Sequence, residues 1–309
     1  MLGLLFGTDE GLFELIPGDT PRRVIDDGPV LSIDYRDGVA LAAGPRGAWL
    51  HDGTSWTETW RGDESTLGRS VRIDPAGTLY LGLEPAALLV AEKPGAEWAP
   101  IEGVRTLTRH ERDIRTPPGA SAPYVSGLAF APDGFVVGVA GGGAWSTRDR
   151  GANWLRRSEG LDPMVRRLWE HPERGDRMYA SADSGMYRTD DGGFTWVQSL
   201  RGLDRSIGGD VAVVPGAPDR LLLSVSRQAD GQGGALFSST NGGLTWQMEP
   251  LGDASDFAYV PRIARVWDSE DTLFALAGGT AFGSHDGGRT WVGLADGLPE
   301  RVHVLVGAL

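Results

Sequence analysis

The stretch Arg188-Thr189-Asp190-Asp191-Gly192-Gly193-Phe194-Thr195-Trp196 carries the pattern of a tight turn that feeds a strand. An Asp carboxylate accepts hydrogen bonds from turn amides, and Gly supplies positive φ at no steric cost. Thr and Trp then suit the start of a strand, where β-branched and aromatic side chains pack well. The pattern recurs at 146–154, 238–246 and 283–291, with degenerate copies at 51–56 and 92–98. The closing tryptophans stand at 56, 98, 154, 196, 246 and 291, so they are 42, 56, 42, 50 and 45 residues apart. A repeat of that length is one four-stranded propeller blade. Near-copies of one motif cannot all be one active site. Asp149, Asp190, Asn241 and Asp286, with Trp154, Trp196, Trp246 and Trp291, are therefore expected to hold turns and anchor blades.

Upstream of each motif an apolar-x-apolar run ends in a turn signal. These runs are 31–35, 71–75, 128–132, 168–172 and 211–215, with a less regular sixth near Ile263. Second strands follow at 39–43, 79–83, 135–139, 178–182, 221–225 and 273–277. Alternation punctuated by turn signals reads as strand. Two pieces remain. Residues 3–26 supply three strands without an inner one, and Val302-His303-Val304-Leu305-Val306 is an inner strand with nothing after it. Joined, they make a seventh blade and leave no exposed edge between the chain ends. The expected fold is all-β. It is a single seven-bladed β-propeller of four-stranded blades over 1–309, with blade 1 shared by 1–29 and 301–309 and an insertion loop at 103–124. Six blades with an unpaired tail is the alternative.

Composition narrows the function classes. The chain has no Cys, which excludes disulfides, thiolate metal sites and a Cys nucleophile. Its five His show no metal-ligand spacing, so no metal and no cofactor is expected. The net charge of −13 opposes a nucleic-acid partner. Lys93 is the only lysine beside the arginines, a bias that GC-rich coding explains. The apolar start, Met1 to Phe6, has no basic flank and is too short for a signal peptide or a membrane helix. A cytoplasmic monomer without a membrane partner is the expectation.

The repeat resembles the Asp-box (BNR) repeat proteins, a group that includes sialidases, xyloglucanases, sortilin-type receptors and the photosystem II assembly factor. The resemblance spans nearly the whole chain. It implies a propeller whose ligands bind opposite the Asp boxes, around the channel mouth, where the strand 2–3 turns and the connections between blades lie. It says little about which ligand, because one fold hosts many functions.

Those connections supply the candidate site residues. The insertion carries Arg109, His110, Arg112, Asp113 and Arg115, and other connections add Arg61, Arg69, Arg156, Arg157, Arg166, Arg167, Arg201, Arg205, Arg262 and Arg301. Guanidinium groups converging there would make a fork for a carboxylate or phosphate; local ion pairing is the alternative. Glu170 takes an apolar inner-strand position, where a carboxylate must be paired or have a raised pKa. Sialidases need an Arg-Ile-Pro signature, which is missing, and a Tyr nucleophile, for which only Tyr124 and Tyr259 sit near connections. The reading is a non-catalytic propeller that binds an unknown protein or a small anionic or carbohydrate ligand. The alternative is a glycoside hydrolase or lyase using Asp113 and Glu170.

Overall fold

In the computed structural model, which describes residues 3–110, 114–214, 217–266 and 271–308, the turn motif is a closed hydrogen-bond unit. A hydroxyl two residues before the acid donates to it: Thr147 to Asp149 at 2.9 Å, Thr189 to Asp191 at 2.7 Å, Ser239 to Asn241 at 2.9 Å and Ser284 to Asp286 at 2.8 Å. The same hydroxyl accepts the amide of Gly151, Gly193, Gly243 or Gly288. The acid or amide oxygen then accepts the amide four residues on, at 2.8 to 3.0 Å. Gly is required at that second turn position. Gly151 has a φ of 94°, and a Cβ there would lie 2.2 Å from Ile101 Cγ2. In the Arg188–Trp196 copy the turn acid is Asp191, which corrects the expectation of Asp190. Asp190 instead pairs with Arg177 and with Arg188, whose Nε donates to it at 2.9 Å.

Each turn joins the third and fourth strands of a four-stranded antiparallel blade, and seven such blades form the β-propeller. From the inner strand outward, blade 2 is Ser32–Arg36, Val39–Gly44, Gly47–His51 and Trp56–Arg61. Blade 3 is Leu67–Ile73, Leu79–Glu84, Ala87–Ala91 and Ala99–Ile101. Blade 4 is Tyr124–Ala131, Gly134–Ala140, Gly143–Thr147 and Leu155–Arg156. Blade 5 is Val165–Glu170, Met178–Ala182, Gly185–Thr189 and Val197–Gln198. Blade 6 is Ile207–Val213, Leu221–Ser226, Gln232–Ser239 and Gln247–Glu249; an added strand, Phe257–Tyr259, pairs with its third strand. Blade 7 is Arg262–Arg265, Leu273–Ala277, Thr280–Ser284 and Val292–Ala295. In blade 1 the C-terminal strand Val304–Ala308 lies inside Gly3–Gly7, Leu12–Leu15 and Arg22–Ile25. The two chain ends pair antiparallel from Gly3↔Ala308 to Gly7↔Val304.

The chain divides into two compact units. One, Met1–Asp26 with Ser184–Met186 and Ser199–Leu309, holds blades 6, 7 and 1. Its core joins Leu4, Phe6 and Leu305 to Phe274 and Leu276. The other, Asp27–Asp183 with Tyr187–Gln198, holds blades 2 to 5. There two of the tryptophans tie their blade to the one before. Trp98 Nε1 donates to Thr59 Oγ1 at 3.1 Å, and Trp196 Nε1 to the Arg157 carbonyl at 2.8 Å. The insertion departs from the loop expected for it. Its first part is an α-helix, Gly103–His110, that buries Val104 and packs Leu107 against the core of blades 3 and 4.

The turn acids titrate below the ordinary carboxylate range. Hydrogen bonds from Thr290 lower Asp286, and those from Asn153 lower Asp149. Burial opposes the shift at Asp191, but the bonds from Thr195 outweigh it. Asp52, in the degenerate copy, is held at about 2 by the Thr54 hydroxyl. A depressed folded pKa stabilises above the unfolded value of 3.8 and loses that stabilisation as pH falls through the folded value. Urea midpoints measured from pH 6 to pH ~2 should therefore fall steeply below pH ~4. Asp286→Ala should lower the midpoint at pH 6 and flatten the acid limb; an acid limb as steep as the parent's would contradict this role.

Candidate functional site

Four inner strands carry one extra residue near their start. In blade 3, Gly68 and Ser70 face the adjacent residues Leu83 and Gly82, leaving Arg69 unpaired in the ladder. In blade 4 the extra residue is Ser126, and in blade 5 it is Arg166. Blade 6 has the same shift between Gly208 and Val211, where Asp210 lies. A β-bulge bends the strand and re-aims the side chain of the extra residue, which is why bulges gather beside functional sites. The residues facing these bulges on the second strand are small: Gly82, Gly138, Ser181 and Ser224. The reason is space. A Cβ on Gly82 would lie 2.6 Å from Val125 Cγ1 of the next blade.

In the four-blade unit the blade 3 bulge brings Arg69 to Tyr124, the first residue of blade 4. The Arg69 guanidinium carbon lies 4.9 Å from the centre of the Tyr124 ring. Arg69 is anchored from behind by Glu84, to which its Nε donates at 2.7 Å. Glu84 is fully buried, and its other oxygen accepts the amide of Ser121, the Ser121 hydroxyl at 2.7 Å and the amide of Ala122 at 3.2 Å. One carboxylate thus ties the insertion to the strand 2–3 turn of blade 3. Burial alone would raise Glu84; the Ser121 bonds and Arg69 hold it below the usual carboxylate range. In blade 5, Arg166 Nε donates to Asp183 at 2.7 Å, in a half-exposed pair. Burial pushes the Tyr124 phenol up, while Arg69 and then Arg166 pull against it, so at neutral pH the hydroxyl is a protonated donor.

Further along the same inner strands lies a second polar layer. Arg72 donates to Asp34 at 3.1 Å, to the Leu128 carbonyl at 2.7 Å and to Glu170, and it lies 5.1 Å from the centre of the Phe130 ring. One guanidinium therefore links the inner strands of blades 2, 3, 4 and 5. Asp34 also accepts the Ile73 amide at 2.8 Å. Burial nevertheless pushes Asp34 above the ordinary range, with Arg72 as the main opposing influence.

The residues expected from sequence fall in several places. Arg166 is the extra residue of the blade 5 bulge, paired with Asp183, and Glu170 lies further along the same strand, joined to Arg72. Arg109 and His110 lie on the helix, but their side chains, like Arg112 and Asp113, are outside the described residues. Arg115 is exposed, and its amide donates to the Gly141 carbonyl at 2.9 Å. Arg262 belongs to the three-blade unit, where its Nε donates to the Val302 carbonyl at 2.8 Å and its Nη1 lies 3.5 Å from Asp210. Several connection arginines pair close by: Arg61 with Asp27 and Glu58, and Arg205 with Asp204 and Asp256. Sequence reasoning missed Arg72 and Glu84. A lone acid or Arg inside an apolar strand run, as in Val71-Arg72-Ile73 and Leu83-Glu84, was the available signal.

Removing one member of a buried ion network leaves the others charged and unpaired, a loss of about 3–5 kcal/mol. Arg72→Met should cost that much in urea unfolding, because Asp34 and Glu170 lose their shared partner. Adding Asp34→Asn and Glu170→Gln should recover part of it. A cost below ~1 kcal/mol for Arg72→Met would show that the network is not coupled.

Comparison with known proteins agrees with the architecture. No family model and no curated protein matches the sequence. Among solved structures, the chain is similar to the GH74 xyloglucanase from Xanthomonas campestris, with a TM-score of 0.66 at 20% identity. That match covers 86% of this chain and 45% of the enzyme, so the chain spans about half the enzyme's length. It is similar to YCF48 bound to D1 peptide, with a TM-score of 0.59 at 19% identity over 93% of this chain and 87% of that one. YCF48 from Cyanidioschyzon merolae gives a TM-score of 0.58 at 16% identity, covering 88% and 86%. At these identities the likeness is one of fold, and these neighbours differ in kind, one being a xyloglucanase and the others YCF48.

Proposed function

We propose that the chain is a non-catalytic Asp-box propeller that binds a small polar ligand on the face of its four-blade unit opposite the Asp-box turns. The observation that carries this reading is the bulge that takes Arg69 out of the ladder, its guanidinium carbon 4.9 Å from the centre of the Tyr124 ring, with a second bulge at Arg166 whose charge also acts on that phenol. Those three side chains offer N–H and O–H donors, and Asp183 beside Arg166 offers an exposed acceptor. Such a set suits a ligand with a carboxylate or neighbouring hydroxyls. The turn acids are spent on their own turns and add nothing to it. That one fold neighbour is solved with a peptide and another is a xyloglucanase fits a scaffold whose rigid face accepts varied ligands.

A second reading, a glycoside hydrolase, is favoured by one observation. Two carboxylates, Asp34 and Glu170, meet on one guanidinium, and burial raises Asp34 as a general acid requires. Binding is preferred because Arg72 engages both carboxylates. Under the hydrolase reading, turnover of a β-glucan oligosaccharide would disappear in Glu170→Gln.

A panel of hydroxy acids, uronic acids and neutral oligosaccharides, read by thermal shift at millimolar concentration, tests the proposal. A ligand at 100 times its Kd stabilises by about 2.7 kcal/mol, a shift of several degrees. At least one compound should raise the melting temperature of the parent chain and not that of Arg69→Ala or Arg166→Ala. Equal shifts in all three proteins, or none with any compound, would reject the site.

A further inference from the structure

Arg157 follows directly on the outer strand of blade 4, away from the face just described, and is 3% exposed. Its Nε donates to Ser146 Oγ at 2.8 Å, and its carbonyl accepts from Trp196. Its Nη1 is buried without a hydrogen-bond partner, and no carboxylate among the described residues pairs with the group. A buried guanidinium in that state is costly unless something compensates the lost solvation. Beside the Ser146 bond, the compensation present is one aromatic ring: Phe194 lies with its centre 3.1 Å from the guanidinium carbon. Phe194 is itself 54% exposed.

The repeat shows that the fold does not require this pair. The position of Arg157 is filled in blade 5 by Ser199, which accepts from Trp246 Nε1 at 3.0 Å and donates to the Gly243 carbonyl. The position of Phe194 is filled elsewhere by Ala152, Leu244 and Arg289. On the outer strands of the same two blades, Leu155 is 58% and Val197 70% exposed, and each of these strands pairs on one side only.

We propose that Arg157 and Phe194 form a docking site for a partner protein's peptide segment, one that carries a Glu or Asp side chain between apolar residues. The Phe194 ring turns outward, the carboxylate takes its place on the guanidinium, and the apolar flanks cover Leu155 and Val197. Charge complementarity selects the occupant, because a carboxylate supplies the hydrogen-bond acceptor that Nη1 lacks. The site is separate from the Tyr124 face and does not depend on the ligand proposed there.

The test is an NMR titration of the isotope-labelled full chain with the peptide Ac-Ala-Leu-Glu-Val-Ala-NH2 and its Gln counterpart. The Glu peptide should move the Phe194 and Trp196 amide signals and bind at least about tenfold more tightly than the Gln peptide, in line with a charge-assisted pair. Phe194→Ala, at an exposed position, should tighten Glu-peptide binding severalfold, since no ring has to move. Arg157→Met should erase the preference for Glu, and Arg69→Ala should leave it intact. If the two peptides bind alike, if neither moves these signals, or if Phe194→Ala weakens the Glu peptide, the proposal fails. The Phe194 variant and the peptide pair decide the question even if Arg157→Met does not fold.

Discussion

Within blades 2 to 5, each inner strand runs so close to the second strand of the blade before it that side-chain volume is rationed at the crossing. A Cβ on Gly82 would meet Ser70 Oγ of its own blade at 2.3 Å and Val125 Cγ1 of the next at 2.6 Å, and a Cβ on Gly138 would lie 3.0 Å from Val165 Cγ1. Crowding of this kind allows charge only in two forms. Either the charge is satisfied within the layer, as Arg72 satisfies Asp34 and Glu170, or the strand bulges and aims the side chain elsewhere, as at Arg69 and Arg166. The candidate site is a product of the second solution, and the ion network beneath it is a product of the first.

That division explains what the sequence discloses and what it withholds. The blade period is legible because the turn is local: hydroxyl, acid, Gly, Thr and Trp lie within eight residues. Even so, two adjacent acids, Asp190 and Asp191, are separated only by the hydroxyl two positions earlier, and that hydroxyl chooses Asp191. The helix Gly103–His110 was also within reach, since Val104 and Leu107 are spaced to fall on one helical face, but the basic residues around them read as loop. Bulges are less legible. They arise from pairing between strands, and their trace in the sequence is a small residue in mid-strand, such as Gly138 or Ser181, which a regular strand under a crowded neighbour would carry just as well.

Partner choice is the least legible of all. Glu170 invites a search among its neighbours in sequence, yet it meets Arg72, 98 residues away, because two inner strands from different blades bring them together. Glu84 likewise serves an insertion segment 37 residues on. In a propeller the repeat sets where each strand lies, while the chemistry of the site comes from residues that depart from the repeat.

The central claim is that Arg69 and Arg166, from two different blades, both act on the Tyr124 phenol. Selective labelling of the tyrosine ring carbon would let the Tyr124 phenol be titrated in the parent chain, in Arg69→Ala and in Arg166→Ala. Both guanidiniums hold the phenol down against the effect of burial, so each substitution should raise its pKa further, whereas Arg262→Ala should leave it unchanged. A Tyr124 titration that is the same in all four proteins would mean that the two arginines do not share a site.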